Sequence, residues 1–305
     1  MWLLYAFSGP VLWAASTHID KYLVDRYFRD SDTAVLMIFT ALIGGLALPI
    51  IAWLQPDVFK PQPWAIAVMV LSGILYMGAM LFYLRAIQVT EASVIAPLFQ
   101  TSTLFTVLLA WLLLHEALAW RQLAGVALIF AGVAALSLGK KGQMRALKPG
   151  VVLLMLGCGM VLSLSAVLFK LFALKDDFWV TTFWNFVGEA LFGIAILAMP
   201  THRRQFTRLL QKHPGPVMGV NGANELINLG GGLGVRFASL SAPVALVSAV
   251  SSTVTLFVFA FGVVLTLFWP KAAKEDLSAG SLVRKAIAAL CVTLGVILSD
   301  VGSSP

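Results

Sequence analysis

Charge is scarce in this chain. Asp, Glu, Lys and Arg make up 11% of its 305 residues, against roughly 25% in soluble domains. The mean hydropathy is +0.91. So few charges cannot clothe a water-facing surface, which excludes a soluble globular protein. Cysteine is scarcer still: Cys158 and Cys291 stand alone, both inside apolar runs, where a thiol packs as a small hydrophobe. Metal-spaced Cys and His sets are missing, as are His-Glu-x-x-His, Gly-x-Ser-x-Gly and Walker sequences. The chain is therefore read as no enzyme and no ATP-driven pump, with no metal and no cofactor.

What the chain has is long apolar runs. A bilayer core takes about 20 apolar residues per helix, and ten runs fit: Trp2 to Lys21, Thr33 to Leu54, Trp64 to Leu84, Ala92 to Leu114, Trp120 to Leu138, Val151 to Leu174, Phe178 to Met199, Pro216 to Arg236, Ala242 to Phe268 and Leu282 to Ser299. They are apolar all round and too long for barrel strands, which alternate over about ten residues. The expectation is an all-α, multi-pass protein of the inner (plasma) membrane. The run from Met1 lacks a basic leader and a small-residue cleavage site and keeps His18, Asp20 and Lys21, so it reads as the first helix rather than a signal peptide.

The net charge of +7 is explained by the loops. Connections after odd-numbered helices hold 16 basic residues: Lys21, Arg26, Arg29, Arg85, Lys140, Lys141, Arg145, Lys148, Arg203, Arg204, Arg208, Lys212, Lys271, Lys274, Arg284 and Lys285. Even connections hold four: Lys60, Arg121, Lys175 and Arg236. The positive-inside rule makes the odd loops cytoplasmic and puts both termini outside. Nucleic acid is not expected as a partner, since the basic residues follow membrane topology.

The halves repeat. Glu91 to Thr103 aligns with Ser241 to Thr253 at an offset of 150, Lys21 with Lys170 at 149, and Gly132-Val133 with Gly295-Val296 at 163. Five helices per half is odd, so the second copy enters from the opposite side and the repeat is inverted. Inverted repeats with a site at their interface are a common construction of secondary transporters. Residues 1–139 form the first five-helix repeat, 140–149 a basic linker and 150–305 the second.

The stretch from Ala110 through Glu116, Gln122 and Gly125 to Gly132-Val133 resembles the helix four to helix five signature of EamA-type carriers in the drug/metabolite transporter superfamily. That signature runs apolar stretch, Gly-Glu, short turn, Gln, Gly, apolar stretch, Gly. Here His115 stands in place of the Gly, and the second half has Leu265-Thr266 where a second Glu would fall. The resemblance implies a ten-helix inverted-repeat carrier of small metabolites and a structural, dipole-capping role for Glu116. It also implies cytoplasmic termini, against the charge count.

A charge at mid-bilayer costs about 2.5 to 3.5 kcal/mol on insertion scales, so it faces a cavity or a partner. Asn221, Asn224, Glu225 and Asn228 recur at helical spacing on one face of the eighth run, ahead of Gly230 to Gly234. They are the leading substrate-site residues, with Lys170, Gln100 after Pro97, Tyr76 and His18. Asn185, Glu189 and Lys21 are read as coupling or structural, and a Lys170 to Glu189 pair is one expectation. The function expected is secondary transport, in the export direction, of small polar metabolites such as amino acids or related organic ions, with protons as a coupling partner. A flippase for a lipid-linked carrier is the alternative, ahead of an intramembrane enzyme or a scaffold.

Overall fold

The computed structural model describes residues 1–26, 32–89, 98–99, 101–137, 149–212, 214–268 and 279–300. Among them all regular structure is helical: α1 (Trp2–Arg26), α2 (Ala34–Leu54), α3 (Pro63–Val89), α4 (Thr101–Leu114), α5 (Trp120–Ser137), α6 (Pro149–Lys175), α7 (Phe178–Ala198), α8 (Pro200–Lys212), α9 (Asn221–Ser241), α10 (Val244–Ser251), α11 (Val254–Phe268) and α12 (Ala279–Asp300). Five stretches are long and apolar enough to cross a membrane, namely α2, α3 over Pro63–Ala86, α6, α7, and α10 with α11 over Val244–Leu265. The expectation of ten such stretches is met only in this coarser form. Two helices outside that set, α1 and α9, carry Asp20 and Glu225, and polar residues kept inside a bundle lower a helix's hydropathy.

Local chemistry sets the boundaries. Asp177, extended at φ −171°, accepts from the N–H groups of Trp179 at 2.7 Å and Val180 at 3.2 Å and starts α7 two residues after α6 ends. The run expected from Ala242 to Phe268 is instead broken at Ser252 and Thr253. There Ser251 and Ser252 hydroxyls donate to the carbonyls of Val247 and Ala249, competing with the helix's own bonds. The eighth run opens with a wide turn at Pro216–Val220 and extends past Arg236 to Ser241. The Pro200–Lys212 stretch, expected as loop, is a helix whose Phe206, Leu209 and Leu210 pack on Leu23, Val35 and Phe39.

Small residues let the helices close. α1 packs along α9, where a Cβ on Gly234 would fall 1.9 Å from Ser8 Oγ. The Gly230 to Gly234 run thus serves backbone approach, not a helix break. α3 and α7 cross through Gly73 and Gly188, whose added Cβ atoms would lie 1.9 Å and 2.1 Å from the Asn185 and Val70 carbonyl oxygens. Of the expected membrane cysteines, Cys158 is buried and donates to the Ala79 carbonyl, and both are free thiols.

α4 ends at His115, whose φ of 54° lies in the left-handed region. Glu116 N–H then turns back to the Ala110 carbonyl at 3.2 Å. The imidazole ring is exposed, so it contributes little packing against the backbone strain. His115→Gly is expected to stabilise the protein by about 1 kcal/mol, because glycine takes this conformation without a Cβ clash. Thermal unfolding in detergent checks this, and a lowered midpoint would count against it.

Candidate functional site

α2, α3, α7 and α9 surround a cavity of about 40 Å³, room for water but not for a metabolite. Its polar lining is Thr40, Tyr76, Glu189, Glu225, Asn228 and Arg236. On α9 the residues at 225, 228, 232 and 236 recur every three or four positions and so share one face; the glycine at 232 leaves the space open between two charges. Arg236 Nη2 donates to Glu189 Oε1 at 2.9 Å, and both side chains are largely buried. The guanidinium carbon lies 5.0, 5.5 and 5.6 Å from the ring centres of Phe169, Phe186 and Tyr76. Aromatic faces on several sides replace part of the hydration the cation loses. The Glu225 carboxyl is hydrogen-bonded by Thr40 and Asn228 and lies within electrostatic reach of Asp20 and Glu189.

A second polar group adjoins it. Asn224 Nδ2 donates to Asp20 Oδ1 across the α1–α9 contact at 2.6 Å. The Asn224 oxygen and both polar atoms of Asn221 are buried with no protein partner among the described residues. Buried polar atoms in native proteins nearly always find a partner, so these three are available to water or to a ligand.

The remaining expected site residues fall elsewhere. Lys170 is taken up by Glu116, and its ammonium donates to the Ala242 carbonyl. The Lys170 to Glu189 pairing is not formed, because Arg236 reaches Glu189 first from α9. His18 Nε2 donates to the Val258 carbonyl on α11 at 3.0 Å and stands outside the cavity. Asn185 joins a hydroxyl network, donating to Ser72 Oγ at 3.1 Å while Ser72 and Ser165 bond each other's carbonyls. Gln100 and the side chain of Lys21 lie outside the described residues. Sequence reasoning overlooked Asp20, Thr40 and Arg236 as site residues. Read from the sequence, Arg236 is the last residue of the eighth run and counts with the even connections, yet it sits eleven residues after Glu225, three helical turns along the same face.

Residues 1–138 match the model of the EamA-like transporter family. The resemblance read from the sequence is thereby borne out over these residues, and a transporter family of this kind implies small-molecule substrates and a lipid bilayer. It is also similar to a solved crystal structure of a protein, at 17% sequence identity and a TM-score of 0.65 over 98% of this chain and 96% of that one. That likeness is one of fold. No curated protein matches the chain.

The EamA signature now has a physical account. The position before the Glu needs positive φ, which glycine supplies and His115 here tolerates under strain. Gln122 Oε1 accepts the Ala119 N–H at 2.9 Å, capping the start of α5 from its third position. Glu116 does not cap α5, as the resemblance implied. It crosses to the other half, where Oε2 accepts the Val244 N–H at 2.9 Å while Oε1 pairs with Lys170. An acid at the first N–H of α10 sits at the positive end of that helix. The dipole argument holds, but for a different helix.

Proposed function

We propose that this protein is a secondary transporter, in the export direction, of small zwitterionic metabolites such as amino acids, and that the cavity between Arg236 and Glu225 is its substrate site. One observation carries the reading: a largely buried guanidinium and a buried carboxyl line the same cavity, three turns apart on one face of α9. Arg236 matches a substrate carboxylate bidentately, and Glu225, with Asp20 behind it, matches an ammonium group. Asn221 and Asn224 add unpartnered donors and acceptors. At about 40 Å³ the cavity corresponds to a closed state, and substrate enters when the halves rock apart.

Helix pairing supports an inverted repeat of two five-helix halves. α1 with α9 corresponds to α6 with α3, α4 with α6 to α11 with α1, and α3 with α7 to α9 with α2, while α2 with α7 and α5 with α12 map onto themselves. The proposed division is residues 1–139 and 150–305 about a basic linker, multi-pass in the inner (plasma) membrane. Termini outside remain our reading, and it gains from Arg236: this residue lies within α9, largely buried, and leaves the even loops with only Lys60, Arg121 and Lys175. A flippase is less favoured, since its basic headgroup site would rest on Lys170, which Glu116 occupies.

The test is counterflow in proteoliposomes against a panel of amino acids, simple amines and simple carboxylates. Zwitterions are expected to exchange at least about tenfold faster than either single-charge class, the difference one lost charge-assisted bond makes. Equal rates for amines or carboxylates lacking the second group would overturn the zwitterion reading.

A further inference from the structure

The α8 helix poses a separate question. Its 13 residues contain three arginines and a lysine and no acid. Basic amphipathic helices at membranes normally bury their apolar face in lipid. Here that face is turned inward: Leu209 is buried against α1 and α2, Phe206 lies on Phe39 with ring centres 5.0 Å apart, and Gln205 Oε1 accepts the Asp32 N–H at 3.0 Å. His202 donates to Asp32 at 3.3 Å. Burial opposes ionisation of Asp32, but its bond from the Ala34 N–H and the neighbouring His202 outweigh this and hold the carboxyl below the ordinary aspartate range. The helix is fastened to the bundle and has no apolar face left to insert.

Its other face holds Arg203, Arg204, Thr207, Arg208 and Gln211, all exposed, around a shallow concavity of about 370 Å³. Among the described residues no carboxylate pairs with the three guanidinium groups. Position decides what they meet. On α2, Val35 and Phe39 continue the same helical stripe as Leu42, Leu46, Ile50 and Trp53; α8 covers the first two, and the rest are exposed. The exposed part of that stripe is the lipid-facing flank of a membrane-crossing helix. α8 therefore sits on the bundle's perimeter where α2 reaches the membrane surface, not in the mouth of the cavity. This end is also the one that the lysine and arginine asymmetry assigns to the cytoplasm, where anionic lipid concentrates.

We infer that Arg203, Arg204 and Arg208, with Gln211, form a binding site for the phosphate headgroup of an anionic phospholipid. Guanidinium forks match phosphate oxygens bidentately, and Gln211 adds an amide donor. Because no apolar face inserts, the attraction is electrostatic and weakens as salt rises.

The test uses the full-length protein in detergent, titrated with phosphatidylglycerol or phosphatidylcholine and read by native mass spectrometry. Phosphatidylglycerol is expected to bind at least about tenfold more tightly than phosphatidylcholine. The triple variant R203Q/R204Q/R208Q is expected to lose that preference, while Arg121→Gln, which removes an exposed arginine elsewhere, keeps it. Circular dichroism shows whether the triple variant is folded. If it is not, the wild type decides: the preference must collapse between low and high salt. Equal binding of the two lipids, a preference that survives the triple substitution, or one indifferent to salt overturns the proposal. Displacement of phosphatidylglycerol by inorganic phosphate at matched concentration also overturns it, identifying a soluble-anion site instead.

Discussion

Arg236→Gln is expected to destabilise the protein by about 3 to 5 kcal/mol, the cost of leaving one member of a buried ion pair without its partner. Glu189 is 4% exposed, so once the guanidinium 2.9 Å away is gone, water has little access to it. The three aromatic faces around Arg236 are shaped for a cation and cannot replace it as a donor. The double variant R236Q/E189Q is expected to recover most of the stability, because two neutral amides of similar size can hydrogen-bond each other. It should still fail in counterflow, because the carboxylate-binding group is gone. Thermal midpoints of the two single variants and the double, read beside their counterflow rates, separate structure from transport. If Arg236→Gln unfolds at the wild-type midpoint, the pair is not a buried structural element. If the double variant transports normally, Arg236 does not bind substrate.

The polar face of α9 was legible because periodicity is a property of one helix. Asn221, Asn224, Glu225 and Asn228 needed only a 3.6-residue repeat to be grouped, and that grouping includes two residues of the cavity wall. Arg236 was missed because hydropathy falls at its position, and a fall in hydropathy marks a loop only if the residue faces water. Here it faces Glu189. Partner choice was the least legible feature: Glu189, Lys170 and Glu116 are each conspicuous in the sequence, but which acid meets which base depends on how helices from different halves cross. The crossings depend in turn on glycines such as Gly73 and Gly188, whose consequence is tertiary. The break between α10 and α11 was hidden for another reason: Ser251 and Ser252 are compatible with an apolar helix until their hydroxyls compete for its carbonyls. α8 could have been read as a helix, since 206, 209 and 210 share a face, but its charge led to its being taken as loop.

Glu225→Gln is expected to abolish proton-coupled transport and to slow zwitterion exchange by roughly tenfold to a hundredfold, the range that loss of one charge-assisted hydrogen bond carries. Folding should be unaffected: glutamine keeps the shape and can still bond Thr40 and Asn228, which hydrogen-bond the carboxyl now. The asymmetry with Arg236 is the point. Arg236 is paired with Glu189, whereas Glu225 has amide and hydroxyl neighbours and two further carboxyls within electrostatic reach and, among the described residues, no cation bonded to it. On the proposed reading, a substrate ammonium and a proton would compete for this carboxyl. Competition of that kind would couple the two: loading substrate would release the proton, and releasing substrate would let the proton return. Substrate accumulation driven by an imposed pH gradient in proteoliposomes measures the coupling, and counterflow at equal pH measures binding and rocking without it. Retained gradient-driven accumulation in Glu225→Gln would sink the assignment. Loss of accumulation with only slowed counterflow would place the proton and the ammonium group on the same carboxyl.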